Sequence, residues 1–137
     1  DREIWRSLVG AFPHSIIEFF VRAVKDILAD TNEHGKLRYI IRERKAAALG
    51  LYAAFLDGLR KMLFPELAEA FRIFQSTRHW EVVEEARLNG YRAAISHARA
   101  VTEIFGRGKE DMAWVAKEIE QTVLGPLGLL KWRGEAA

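Results

Sequence analysis

Apolar residues recur along this chain at helical spacing, and no stretch alternates as a strand would. Residues 1–12, DREIWRSLVGAF, place Ile4, Trp5, Leu8 and Phe12 on one face. That pattern predicts an N-terminal helical arm, ended by Pro13. Ser15 and Glu18 have the capping-box spacing, so a second helix is expected from Ser15 to about Asp30. Its apolar stripe is Ile16, Phe19, Phe20, Ala23, Val24, Ile27 and Leu28. Gly35 is the expected terminator after the loop that follows.

A single long central helix is expected over residues 36–63, stopped by Pro65. On one helical cylinder, Leu37, Ile41, Ala48, Tyr52, Phe55 and Leu59 fall within about 60° of one another, which marks them as the core face. The stretch AAALGLYAAFL, 46–56, carries no charged residue and is apolar on every side. It has to be surrounded by protein or by an apolar partner. A short helix follows over 65–75, with Pro65 in its first turn. Ser76 and Thr77 are candidate N-caps for another long helix, about 78–105. Gly106 and Gly108 break it, and a last helix is expected over about 109–124, with Met112, Val115, Ala116, Ile119 and Val123 inward. An apolar-basic tail, 129–137, closes the chain.

Two ladders of small residues stand out. Ala46, Gly50, Ala54 and Gly58 are spaced four apart, and so are Ala86, Gly90, Ala94 and Ala98. Small residues at this spacing let helix axes approach closely, so the two long helices are expected to pack ladder to ladder. The fold class is all-α: a bundle of four main helices plus one short helix and an N-terminal arm. The arm is assigned to 1–14 and a single bundle domain to 15–137.

Composition supports this. The chain has 137 residues, half of them hydrophobic, with 15 aromatics and only three prolines, enough to bury a core. It has no cysteine, which excludes disulfides and thiolate metal sites. Asn, Gln and Met occur twice each and Arg outnumbers Lys, a pattern that points to a thermophile or to a GC-rich genome. The N-terminus does not read as a signal peptide, and no apolar run reaches membrane-spanning length. The expected location is a virion or the cytoplasm.

Catalytic chemistry finds no foothold. No Glu-x-x-His occurs, and His14, His34, His79 and His97 share no metal-binding spacing. The serines lack a nucleophile-elbow context. Gly106-Arg107-Gly108-Lys109 lacks the spacing and the strand of a phosphate loop. No enzyme activity, metal or cofactor is expected.

Charge gives a clearer signal. Net charge is only +2, yet residues 36–64 hold seven basic and two acidic residues. Lys36, Arg38, Arg42, Arg44 and Lys45 form a basic strip that could follow a phosphate backbone without reading bases. Arg92 and Arg99 would join it if the ladders pack. The bland alternative is a solvated basic face. Tyr39, Tyr52 and Tyr91 could stack on single strands, but two of the three lie on or near apolar stripes, so core packing is the stronger explanation.

A small, basic, cysteine-free, all-helical chain with a helical arm resembles the capsid proteins of filamentous viruses of hyperthermophilic archaea. The resemblance lies in layout and composition over the whole chain. It implies a subunit of a helical filament that wraps double-stranded DNA, with the arm, 1–12, and Arg38, Arg42, Arg44 and Lys45 at the phosphates, and further copies or a paralogous subunit as partners. The small helical subunits of CRISPR effector complexes are similar in size and would use the same strip. Two other classes stay open: a helical protein-interaction module without nucleic acid, and a membrane-surface protein using the arm and the LLKW tail.

Overall fold

The computed structural model describes residues 2–132. Among them are eight α-helices, one π-helical turn and no strand. The helices are α1 (Arg2–Ala11), α2 (Ile16–Thr31), α3 (Lys36–Arg42), α4 (Ala46–Phe55), α5 (Gly58–Leu63), α6 (Pro65–Thr77), α7 (Trp80–Arg107) and α8 (Met112–Ile119), followed by the π-helical turn Glu120–Leu124. The all-α expectation is met. Residues 133–137 of the tail, and Asp1 of the arm, lie outside the described residues.

Helix α7 is the axis. Helices α2 and α6 pack along it, α1 lies across α2 and α7, and α8 closes against α7. Leu8 of α1 is fully buried, so the arm docks on its own bundle. The core is one continuous cluster that includes Phe20, Val24, Leu37, Leu49, Phe64, Phe74, Val101 and Ile119.

Helix α2 starts as its sequence dictates. The Ser15 hydroxyl oxygen accepts from the Glu18 N–H at 3.3 Å. The Glu18 carboxylate accepts from the His14 N–H at 2.7 Å, one residue upstream of the usual capping-box partner. That bond, reinforced by Arg22, holds the Glu18 carboxyl below the usual carboxylate range. Gly35 does not terminate α2. Asn32 does, donating its side-chain amide to the Leu28 and Ala29 carbonyls at 2.9 Å each. Gly35 instead precedes α3 and lies so close to the Ala29 and Asp30 carbonyls that a Cβ would collide with backbone.

The single helix expected over 36–63 is three helices. The first break is a Schellman turn. Arg44 takes the left-handed conformation (φ 53°), its N–H reaches the Ile41 carbonyl at 3.2 Å, and the Lys45 N–H reaches the Ile40 carbonyl at 3.0 Å. Glycine usually fills that position, and its absence hides the break from a sequence reader. The second break falls at Leu56 and Asp57, which are extended, and Gly58, which has φ 55°. Arg60 seals it, donating to the Phe55 carbonyl at 2.7 Å and to the Asp57 carboxylate at 3.2 Å. The breaks re-aim the side chains. Leu56, Leu59 and Leu63 turn into the core, whereas Phe55, expected on the same face as Leu59, is 70% exposed.

The next boundary also moves. Ser76 and Thr77 do not start the second long helix. They end α6, each donating its hydroxyl to the Ile73 carbonyl, at 3.1 and 3.0 Å. Arg78 closes that end in the left-handed conformation and α7 begins at Trp80. The last helix starts at Met112, capped by Asp111, whose carboxylate accepts from the Trp114 N–H at 3.0 Å.

The ladders do not pack on each other. Helix α4 lies on α3 and α6, whereas α7 lies on α2 and α6. The eight small residues divide accordingly. Ala86, Gly90 and Ala94 are buried on α7, and Gly90 receives the ring of Phe64, which would overlap any Cβ there. A Cβ added at Gly50 would meet the Phe71 ring at an ordinary contact distance of 3.7 Å. Gly58 serves its positive φ, Ala46 and Ala98 are half-buried, and Ala54 is exposed. Two glycine substitutions separate these roles. Gly90→Ala should lower stability by about 1–3 kcal/mol through overpacking against an immobile buried ring. Gly50→Ala should raise it by about 0.5–1 kcal/mol through helix propensity alone. Chemical denaturation of both variants checks this pair of opposite signs.

Candidate functional site

The basic strip begins on α3 and bends round the α3–α4 turn. Lys36 lies 4.0 Å from the Asp30 carboxylate. That carboxylate also accepts from the Tyr52 hydroxyl at 2.9 Å. Burial pushes the Asp30 carboxyl up, against the pull of Tyr52 and Lys36, and burial with Asp30 beside it pushes the Tyr52 hydroxyl up as well. Arg42 contacts Glu43 at 3.2 Å. The exposed Tyr39 ring has the Arg42 guanidinium 5.5 Å away and the Lys45 ammonium 5.8 Å away.

Most of the strip is exposed, but carboxylates share its surface. Arg38, Arg42 and Arg44 line one side of a shallow groove whose other side carries Glu81, Glu84 and Glu85 of α7. The groove thus brings three guanidiniums near three carboxylates, one of which, Glu84, is already paired with Arg87. In sequence, Glu43 is the acidic residue within the strip, whereas these carboxylates lie some 40 residues further along the chain. Arg99 does not join the strip, because it lines a separate groove with residues of α1 and α2, and Arg92 is exposed on α7 and lines neither groove.

Arg87 is the charged residue that sequence reasoning missed. It is 6% exposed. Its guanidinium makes two bonds to the Glu84 carboxylate, both 2.7 Å, and a third of 2.7 Å to the Thr31 carbonyl at the end of α2. A bidentate carboxylate pair with a further bond to a backbone carbonyl is the form in which a buried arginine is tolerated. Arg87 holds the Glu84 carboxyl below the usual carboxylate range, and Arg38 adds to the effect. The Glu84-Arg87 spacing was visible in sequence. Its inward orientation follows only from the packing of α2 on α7.

A second candidate surface lies on α4. Leu51 and Phe55 are 61% and 70% exposed, on a helix with no charged side chain. They border a shallow groove of about 350 Å³ together with Ile40, Ala48 and Tyr52, and Lys36 and Arg60 stand at its rim. Both rim cations already have carboxylate neighbours, Asp30 and Asp57.

Catalytic geometry is thin. His97 packs edge-on against Phe20 at 5.8 Å between ring centres, and burial lowers its pKa against the opposing charge of Glu66. The two share no hydrogen bond, and one Glu66 carboxylate oxygen is buried without a partner. Among the described residues, no group of three or more His, Cys, Asp or Glu is arranged to hold a metal ion. Nor is any described helix long and apolar enough to cross a membrane.

No curated protein and no solved structure matches the chain. A family model matches residues 1–122, which takes in every helix from α1 to α8. By that match the chain belongs to the family described as "Family of unknown function (DUF6866) C-terminal domain".

Proposed function

We propose that this domain is a non-enzymatic helical interaction module that docks within a larger protein assembly through the outer face of α4. The observation that carries the reading is the exposure of Leu51 and Phe55 on an uncharged helix. Scattered apolar residues are normal on protein surfaces, but adjoining large ones around a groove mark a contact surface. The rim chemistry favours a protein over a polyanion. Lys36 and Arg60 have carboxylate neighbours, so this face offers apolar area rather than uncompensated charge. The family's description as a C-terminal domain fits a module that works next to other protein.

Without its partner, the face should meet a second copy of itself at high concentration. Sedimentation velocity over a concentration series should show the chain associating. The double variant Leu51→Ser, Phe55→Ser should stay monomeric with an unchanged melting temperature, because neither side chain supports the core. A wild-type chain that remains monomeric throughout, with a double variant destabilised by more than about 2 kcal/mol, would show that these residues serve the fold instead.

A second reading is nucleic-acid backbone binding by an assembly subunit, as in filament capsid proteins or CRISPR small subunits. Its support is local: an exposed Tyr39 ring flanked by Arg42 and Lys45, with Arg44 exposed beside them. A ring with cations on its flanks suits base stacking plus phosphate contact. On this reading a short single strand binds at low salt, and affinity falls steeply as salt rises. Arg42→Glu with Lys45→Glu should weaken binding to every sequence alike, as followed by fluorescence anisotropy. Absence of binding to both DNA and RNA at low salt removes the reading.

A further inference from the structure

Helices α1, α2 and α7 leave a groove of about 790 Å³ between them. Four cationic side chains line it: Arg2 and Arg6 from α1, Lys25 from α2 and Arg99 from α7, all of them exposed. Among the described residues, no carboxylate lines it. In this it differs from the groove beside the basic strip, where three Glu stand opposite three Arg, and from the one at the α7–α8 turn, where Glu110 and Asp111 accompany Arg107 and Lys109. Its floor is apolar, built from half-buried Ile4, Trp5, Leu28 and Ile95.

We infer that this groove binds an amphiphilic organic anion, a carboxylate carried on a single apolar chain. The two halves of such a ligand match the two parts of the groove. The carboxylate pairs with guanidinium and ammonium groups that converge from three helices, where bidentate arginine contacts are available. The tail lies along the indole of Trp5 and the side chains of Leu28 and Ile95, removing apolar surface from water. The volume falls in the range of about 300–1,000 Å³ typical of small-molecule sites, which combine an apolar lining with a few placed polar groups. A nucleic-acid backbone would meet the cations but leave the apolar floor unused. The site is distinct from the α4 face, so its fate does not depend on that proposal.

Sodium dodecanoate below its micelle concentration is the probe, titrated into the full chain by isothermal calorimetry. Dodecyltrimethylammonium, with the same tail and the opposite charge, and acetate, with the charge and no tail, are the controls. Dodecanoate should bind at one site per chain and neither control should. Lys25→Glu with Arg99→Glu should weaken it by about tenfold or more. Leu51→Ser on α4 should leave it unchanged, which separates this groove from the apolar face proposed to dock protein. Circular dichroism confirms that the reversed variant is folded, and Lys25→Gln with Arg99→Gln, a milder change, should show a smaller loss in the same direction. Equal binding of the cationic and anionic amphiphiles overturns the inference, as does an affinity that survives charge reversal. So does a short DNA duplex that binds through Lys25 and Arg99 while dodecanoate does not, an outcome that would make the groove a polyanion surface.

Discussion

The break between Phe55 and Gly58 decides what is inside this molecule and what is outside. A helix continuing through it would keep Phe55 and Leu59 on one face, because four residues return almost to the same side of the cylinder. Extended backbone at Leu56 and Asp57, followed by a left-handed glycine, rotates the chain instead. Leu56, Leu59 and Leu63 then enter the core, and Phe64 reaches the gap beside Gly90 of α7. Phe55 and Leu51 stay outside. One local conformation thus supplies part of the core and leaves the apolar face that the functional proposal rests on. Arg60 supports it directly by occupying the Phe55 carbonyl that the helix end would otherwise leave unpaired.

Electrostatics follows the same logic of placement over composition. The positive segment around α3 shares a groove with the acidic start of α7, so nearby carboxylates offset part of its charge. Arg87 secures that arrangement from inside, pairing with Glu84 and reaching the last turn of α2. The cations of the groove between α1, α2 and α7, which no described carboxylate lines, come from three separate helices, none of them strongly basic alone. Net charge counted by segment does not reveal such a gathering.

Much of the fold was legible in the sequence. The helical period, the Ser15 cap, Pro13 and Pro65 as boundaries, and most of the inward stripe of α8 appear as read, whereas the stripe of α2 is rotated: Phe19 is exposed, and Ile17 and Val21 are buried in its place. Local signals specify them, and local signals are what a sequence displays. The misread boundaries have a shared cause. Arg44 and Arg78 take a conformation usually given to glycine, and Ser76 and Thr77 donate backward to the Ile73 carbonyl and end one helix instead of starting the next. The small-residue ladders misled for another reason. Gly50, Gly58 and Gly90 serve three different needs, an ordinary contact, a positive φ and a ring filling the gap, and spacing alone does not tell these apart. The surface sites depend on which helices become neighbours, and no residue announces that by itself.

The absence of cysteine allows a direct test of the break. Single cysteines placed at 55 and 59 report the exposure of each position through the rate of thiol labelling under native conditions. The account predicts that Phe55→Cys labels nearly as fast as an unfolded chain, while Leu59→Cys is protected until the domain unfolds. Equal rates at the two positions, whether both fast or both slow, would mean that they share one face of a continuous helix, and would contradict it.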